Sequence, residues 1–233
     1  MRRISTWRWL CFGPPASPES PAAVNYLAHA LLAQPDPGAL IGNLAGDHVK
    51  GPLASQALHP RVAAGVRRHR RVDALTDAHP AYGASLVRFP RGERRYAGIA
   101  LDIAFDYFLV RHWARFSAQP LEPFRQHVYR VIHRYPHWLP PAFATLGPAW
   151  ADAQWLRAYE TLDGVAAVLE RLAARRRRPL PVTALLQTVA QEEAPLEAAF
   201  LRVFGDVRAT LEAEDTQDPL AHSDQPAPGR EER

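Results

Sequence analysis

Asp102 and Asp106 stand one helical turn apart inside the apolar run L-D-I-A-F-D-Y-F-L-V, and this pair constrains the fold more than any other feature of the chain. The intervening Ile103, Ala104 and Phe105 place the stretch in the interior, where two unpaired carboxylates repel each other and are poorly solvated. A cation or an arginine is therefore expected between them. The four-residue step recurs at His69, Asp73 and Asp77, which climb one face of a second helical segment, with Asp77 at or just beyond its end.

Helix signals dominate the rest of the chain, and no segment shows the two-residue alternation or the hairpin turns of strands. The expected fold is a single all-α helical domain over residues 24–213. Its helices are predicted at about 25–33, 39–49, 61–76, a short one ending near 87, 94–116, 120–134, 141–146, 150–159, 161–177 and 181–213. Proline and glycine clusters such as Pro35-Asp36-Pro37-Gly38 and Phe89-Pro90-Arg91-Gly92 divide them. Residues 1–23 lack any period and read as an N-terminal extension ahead of a start near Val24, although a weak signal peptide could look similar. Residues 214–233, rich in acidic residues and proline, read as a disordered acidic tail.

The single cysteine, Cys11, cannot form an intrachain disulfide or a thiolate zinc cage, which points to a reducing compartment, the cytoplasm. No stretch approaches the ~18 apolar residues of a membrane span, and no membrane partner is expected. The formal charge of +4 divides as +2 in residues 1–23, +6 in 24–213 and −4 in 214–233. Lys50 is the only lysine, so the charge of the folded body is almost all arginine, whose planar fork suits carboxylate and phosphate. An acidic partner fits, with Arg67 and Arg68 as surface positions for it.

A hydrolytic metal site is the leading reading of Asp47, His69, Asp73, Asp77, Asp102 and Asp106 as ligands. The alternative is an ion-pair network in which Arg70, Arg71, Arg94, Arg95 and Arg111 neutralise the aspartates. Asp47-His48 can supply a ligand and a proton-handling neighbour, in reversed order relative to the His-Asp pairs of metal-dependent phosphohydrolases. Gly42, Gly46 and Gly51 flank it and would let a phosphate approach the backbone near Lys50, or else let one helix pack closely on another. Read alone, His29 on N-Y-L-A-H-A-L-L is ambiguous, since a lone histidine on an apolar face is more often a satisfied core residue than a ligand, and His112 has a similar standing. Oxygen-rich ligation with one or two imidazoles favours Mn²⁺ or Mg²⁺ and admits Fe²⁺ or Zn²⁺. No Gly-x-Ser-x-Gly elbow, Walker-type loop or Cys/His zinc spacing occurs.

Four motifs in order, N-Y-L-A-H-A-L-L-A, G-N-L-A-G-D-H-V-K-G, V-x-x-G-V-x-x-H-R-R-V-D-x-L-T-D and L-D-I-A-F-D-Y-F-L-x-x-H-W, resemble the acyl carrier protein phosphodiesterase family over about residues 24–205. The resemblance implies a helical fold of distorted HD-phosphohydrolase type. It also implies Mn²⁺-dependent hydrolysis of the phosphodiester that joins 4′-phosphopantetheine to the serine of holo-acyl carrier protein. Asp47 matches the aspartate of the family's G-N-L-x-x-D motif, and His69, Asp73, Asp77, Asp102 and Asp106 fall on motif positions. Arg70 or Arg71 would then neutralise charge developing on phosphorus, and a histidine, with His48 and His69 as the candidates, or else a metal-bound water would protonate the serine leaving group. The N-terminal extension, the acidic tail, Gly46 and His48 depart from the family pattern. An HD-like nucleotide phosphohydrolase and a non-catalytic helical module for an acidic partner or nucleic acid are the alternatives; no nucleic-acid partner is expected on the preferred reading. The oligomeric state is not legible.

Overall fold

Among the residues that the computed structural model describes, 25–33 and 35–217, every regular element is helical and no strand occurs, so the expected all-α domain forms. The extension 1–23 and residues 218–233 of the acidic tail lie outside the described residues. No described helix is long and apolar enough to cross a membrane.

Prolines set the early helix starts. After α1 (Tyr26–Leu32), Pro37 opens α2 (Pro37–Ala45), Pro60 opens α3 (Pro60–Asp77) and Pro80 opens α4 (Pro80–Leu86). The first helical position needs no N–H donor, so proline costs nothing there. The preceding residue supplies the cap in each case. Asp36 accepts from the Ala39 N–H at 2.7 Å, and the Nδ1 atoms of His59 and His79 accept from Arg61 and Ala81 at 3.3 and 3.1 Å.

The remaining helices are α5 (Arg94–Arg111), α6 (Trp113–Phe116), α7 (Leu121–Arg134), α8 (Pro141–Ala144), α9 (Leu146–Asp152), α10 (Leu162–Ala174), α11 (Val182–Gln191) and α12 (Glu193–Gln217). Three predicted helices are broken: the 150–159 segment leaves α-helical geometry after Asp152, passes through Gln154 in the left-handed region and continues as a 3-10 helix over Trp155–Glu160. The 94–116 segment leaves helical geometry at His112, whose imidazole lies 2.9 Å from Glu197. The 181–213 segment divides at Glu192 because Pro195, in the first turn of α12, cannot donate to a carbonyl of α11. At its far end α12 runs on to Gln217, four residues into the expected tail. Its last turns are tied down by Arg71 with Glu214 and by Arg68 with Asp215 at 2.6 Å.

α5 is the central helix. Ala97, Leu101, Ile103, Phe105, Phe108 and Leu109 are all buried, and α1, α4, α10, α11 and α12 pack around it. Phe200 of α12 meets the rings of Phe105 and Phe116 edge-on, and each such buried aromatic contributes roughly 1.5–3 kcal/mol.

α2 and α3 approach so closely that side chains are excluded between them. A Cβ on Gly38 would meet Arg61 Cβ at 2.4 Å, one on Gly42 would meet Val62 O at 2.0 Å, and one on Gly46 would meet His69 Cγ at 2.2 Å. Gly65 returns the favour against Ala39 O at 2.3 Å. Because the partners advance together along both chains, the two helices run parallel. The bare sides of Gly42 and Gly46 are therefore filled by α3 and are not available to a phosphate.

Candidate metal centre

α1, α2, the 3-10 turn 46–48 and α3 bring His29, Asn43, Asp47, His69 and Asp73 to one place. Asn43, fully buried in α2, orients both imidazoles. Its Nδ2 donates to the His29 carbonyl at 3.0 Å, which turns its Oδ1 to His29 Nδ1 at 2.9 Å. Its own backbone carbonyl lies 2.8 Å from His69 Nδ1. Both acceptors are oxygens without hydrogen, so both Nδ1 atoms carry the proton and both Nε2 atoms face away from Asn43.

The two Nε2 atoms converge on carboxylates. His29 Nε2 is 3.3 Å from Asp73 Oδ1; His69 Nε2 is 3.1 Å from Asp73 Oδ2 and 3.5 Å from Asp47 Oδ1. The rings stack with centroids 4.1 Å apart, and the ligand atoms of His29, His69 and Asp73 all fall within 4.8 Å of one another. The bare flank of Gly46 is what admits the His69 ring.

Burial holds His29 below the ordinary histidine pKa, helped by the charge of His69, so its ring is neutral at pH 7. A neutral His29 with its proton on Nδ1 presents a lone pair toward a carboxylate oxygen, and Nε2 has no hydrogen-bond partner among the described residues. Two lone pairs facing each other in the interior need a cation between them. For His69, burial opposes the charge but the hydrogen bonds and charges of Asp47 and Asp73 outweigh it and lift the pKa to about 9. Without a metal, a proton on His69 Nε2 does part of that cation's work. Burial pushes the Asp73 carboxyl up, but the two histidines beside it, above all the charged His69, win and hold it well below the usual range. Two imidazoles with one or two carboxylates suit a divalent first-row ion.

Access is one-sided. The His29 and His69 side chains are 1% and 3% exposed, whereas Asp73 is 42% and Asp47 28% exposed. The site is a buried nitrogen floor with a carboxylate rim.

The other residues singled out from the sequence have different surroundings. Asp106 is fully buried and accepts the N–H groups of Leu27 and Ala28 at 2.8 and 2.9 Å, so it ties the first turn of α1 to α5. Asp102 accepts from the Tyr82 hydroxyl at 3.1 Å, and burial pushes its carboxyl up to about 7, with the charges of Asp73, Asp77 and Asp47 adding to the effect. Backbone N–H groups and a tyrosine thus fill the place where a cation or arginine was expected. Asp77 ends α3 and lies outside the clustered ligand atoms; burial and the charge of Asp73 raise its carboxyl. His48 turns from the site into an aromatic layer, its ring 5.4 Å from Phe143 and 6.0 Å from Trp150. Arg70 donates to the carbonyls of Val49 and Gly51 at 3.0 and 2.9 Å and pins the loop after Asp47, while Arg71 is held by Glu214 on the surface.

Two members of the cluster escaped the sequence reading. His29 looked like a core histidine, and Asn43 was passed over. The available signal was Asn43 itself, an amide in the apolar run A-L-I-G-N-L-A, which cannot be buried without partners.

The acyl carrier protein phosphodiesterase family model matches residues 24–207, a span that holds all five residues of the cluster. A Serratia proteamaculans (strain 568) protein named acyl carrier protein phosphodiesterase is 37% identical over 188 residues, covering 78% of this chain and 94% of that protein. A Yersinia pestis protein of the same name is 33% identical over 183 residues with the same shares, and an Escherichia coli O45:K1 (strain S88 / ExPEC) one is 36% identical over 156 residues, 66% of this chain and 80% of its own. No solved structure matches the chain. With four ordered motifs, a helical domain that gathers three of them around one site and relatives alike over nearly their full length, the chain belongs to the acyl carrier protein phosphodiesterase family.

Proposed function

We propose that this chain is a metal-dependent phosphodiesterase that cleaves the bond between 4′-phosphopantetheine and the serine of holo-acyl carrier protein, releasing apo-carrier and 4′-phosphopantetheine. The observation that carries the reading is the convergence of His29 Nε2 and His69 Nε2, oriented by one asparagine, on the Asp73 carboxylate beside Asp47. His29, His69 and Asp73 would hold the ion, with Asp47 as a fourth donor, and Mn²⁺ is the preferred ion, with Mg²⁺ or Fe²⁺ as substitutes. When bound, a divalent cation polarises a phosphoryl oxygen and lowers the pKa of water.

The chain's own residues supply the rest. The buried imidazoles exclude solvent beneath the reacting group, which strengthens every interaction above them. The carboxylates of Asp47 and Asp73 at the rim accept hydrogen bonds from an incoming water and hold its oxygen toward the phosphorus. Arg70 keeps the loop that follows Asp47 in place by its two carbonyl bonds. The exposed rim leaves room for a phosphoryl group on a flexible arm, with the carrier itself outside.

Incubation with holo-acyl carrier protein and Mn²⁺, followed by intact mass spectrometry, should show loss of the prosthetic arm, and EDTA should abolish it. Unchanged carrier with metal-loaded enzyme, full turnover in chelator, or faster cleavage of nucleotides than of carrier would overturn the proposal.

A further inference from the structure

Four consecutive arginines, Arg175, Arg176, Arg177 and Arg178, follow the last turn of α10. All four are exposed, and none makes an ion pair or hydrogen bond among the described residues through its side chain. This contrasts with much of the basic body, where Arg68, Arg71, Arg88, Arg111, Arg157 and Arg208 are each matched by a carboxylate of this chain. The run is fixed rather than trailing. Leu172 before it and Leu180 after it are both buried, so the chain leaves the core, presents four guanidiniums and returns.

Arg175 lies close enough to Tyr26 of α1 and to His48 for its charge to act on both. Tyr26 begins the helix that carries His29, and His48 adjoins Asp47. The ring of Tyr26 also meets Trp150 and Trp155 at 5.0 and 5.9 Å.

We infer that Arg175–Arg178 form the docking strip for the acidic carrier protein that delivers the phosphodiester. The inference rests on the function proposed above and adds where the partner sits. A run of unpaired guanidiniums attracts a surface rich in Asp and Glu over a Debye length of about 8 Å at physiological salt, and the planar fork pairs with carboxylates two bonds at a time. Intramolecular acids do not compete for it, which is what distinguishes it from the other arginines named above. Docking there would hold the carrier at the surface and leave its serine-linked arm to reach the carboxylates.

The test uses the full chain and two substrates: holo-acyl carrier protein, and a neutral peptide bearing phosphopantetheinyl-serine. The variant Arg176→Glu/Arg177→Glu/Arg178→Glu should lose at least tenfold in kcat/KM on the carrier at low salt, keep its rate on the peptide, and lose the fall in kcat/KM that wild type shows as salt is raised. A glutamine version should lose less. Arg91→Glu/Arg130→Glu/Arg202→Glu carries the same change of net charge at scattered exposed positions and should keep most of its carrier activity. Equal kcat/KM on the carrier in wild type and the glutamate variant, equal losses on both substrates, or equal losses in the scattered variant would each overturn the inference. Should wild type cleave neither substrate, the proposed reaction fails on its own account, and binding of fluorescent carrier to wild type and variant still decides the docking strip.

Discussion

Metal binding should expel one proton, and the proton should come from His69. In the metal-free site Asp47 and Asp73 raise the His69 pKa to about 9 against the effect of burial, while His29 is held below its ordinary value by burial. At pH 7 one imidazole of the pair is therefore charged and the other is not. The ion must displace the His69 Nε2 proton, and two pKa units correspond to about 2.7 kcal/mol, a weakening of roughly 100-fold relative to pH above 9. The sign follows: apparent Mn²⁺ affinity rises with pH, by about 25-fold between pH 7 and 8.5, and flattens above about 9. Calorimetric titration of Mn²⁺ in buffers of different ionisation enthalpy counts the protons and should give close to one per ion at pH 7. Asp47→Asn removes one of the carboxylates that raise the pKa and should reduce both the slope and the proton count. Affinity that is flat across this range with no proton released would refute the assignment of charge, and release of two protons would show that His29 is charged as well.

Three further outcomes follow from the geometry. Asn43→Ala deletes the acceptor for His29 Nδ1 but keeps the carbonyl for His69, so Mn²⁺ affinity should drop about 10- to 100-fold with helical circular dichroism retained; unchanged affinity would contradict the orienting role. Asp106→Asn can accept only one of the two N–H bonds from α1 and should cost about 1–3 kcal/mol in urea unfolding, yet keep its metal stoichiometry, whereas loss of the ion would make Asp106 a ligand after all. Arg71→Ala breaks a surface pair with Glu214 and should leave kcat/KM and the urea midpoint as in wild type; a large fall in kcat would return Arg71 to the site.

What could be read from the sequence was local. His69 and Asp73 were legible as a unit because four residues on one helix fix their proximity, and Pro60 announced the start of that helix by an equally local rule, whereas Pro37 read as part of a turn and proved to open α2. Asp102 and Asp106 show the limit of that logic. The period places both on an inward face, but it says nothing about what lies opposite, which proved to be Tyr82 and the first turn of α1. His29 and Asn43 each stand alone on short helices, and only the packing of α1, α2 and α3 makes them partners. Pro195 was a visible break that a smooth apolar pattern concealed. Arg175–Arg178 read as a helix end, since the identity of a neighbouring site is not written in the run itself.

The glycines at 38, 42 and 46 carry one more consequence. A stripe repeating every four residues is nearly symmetric to sliding: if α2 shifted one turn along α3, ~6 Å, glycine would still face the close approach at two of three places. Smooth packing alone therefore does not select the native alignment. Two polar locks do, the Asp36–Arg61 pair at 2.9 Å at one end and the bond between His69 and the Asn43 carbonyl at the other. His69 is thus a registration pin as well as a prospective ligand. Loss of activity in a His69 variant would mix a missing ligand with a slipped helix, whereas Asp47 and Asp73 make no backbone bond between α2 and α3, so their variants leave that alignment in place.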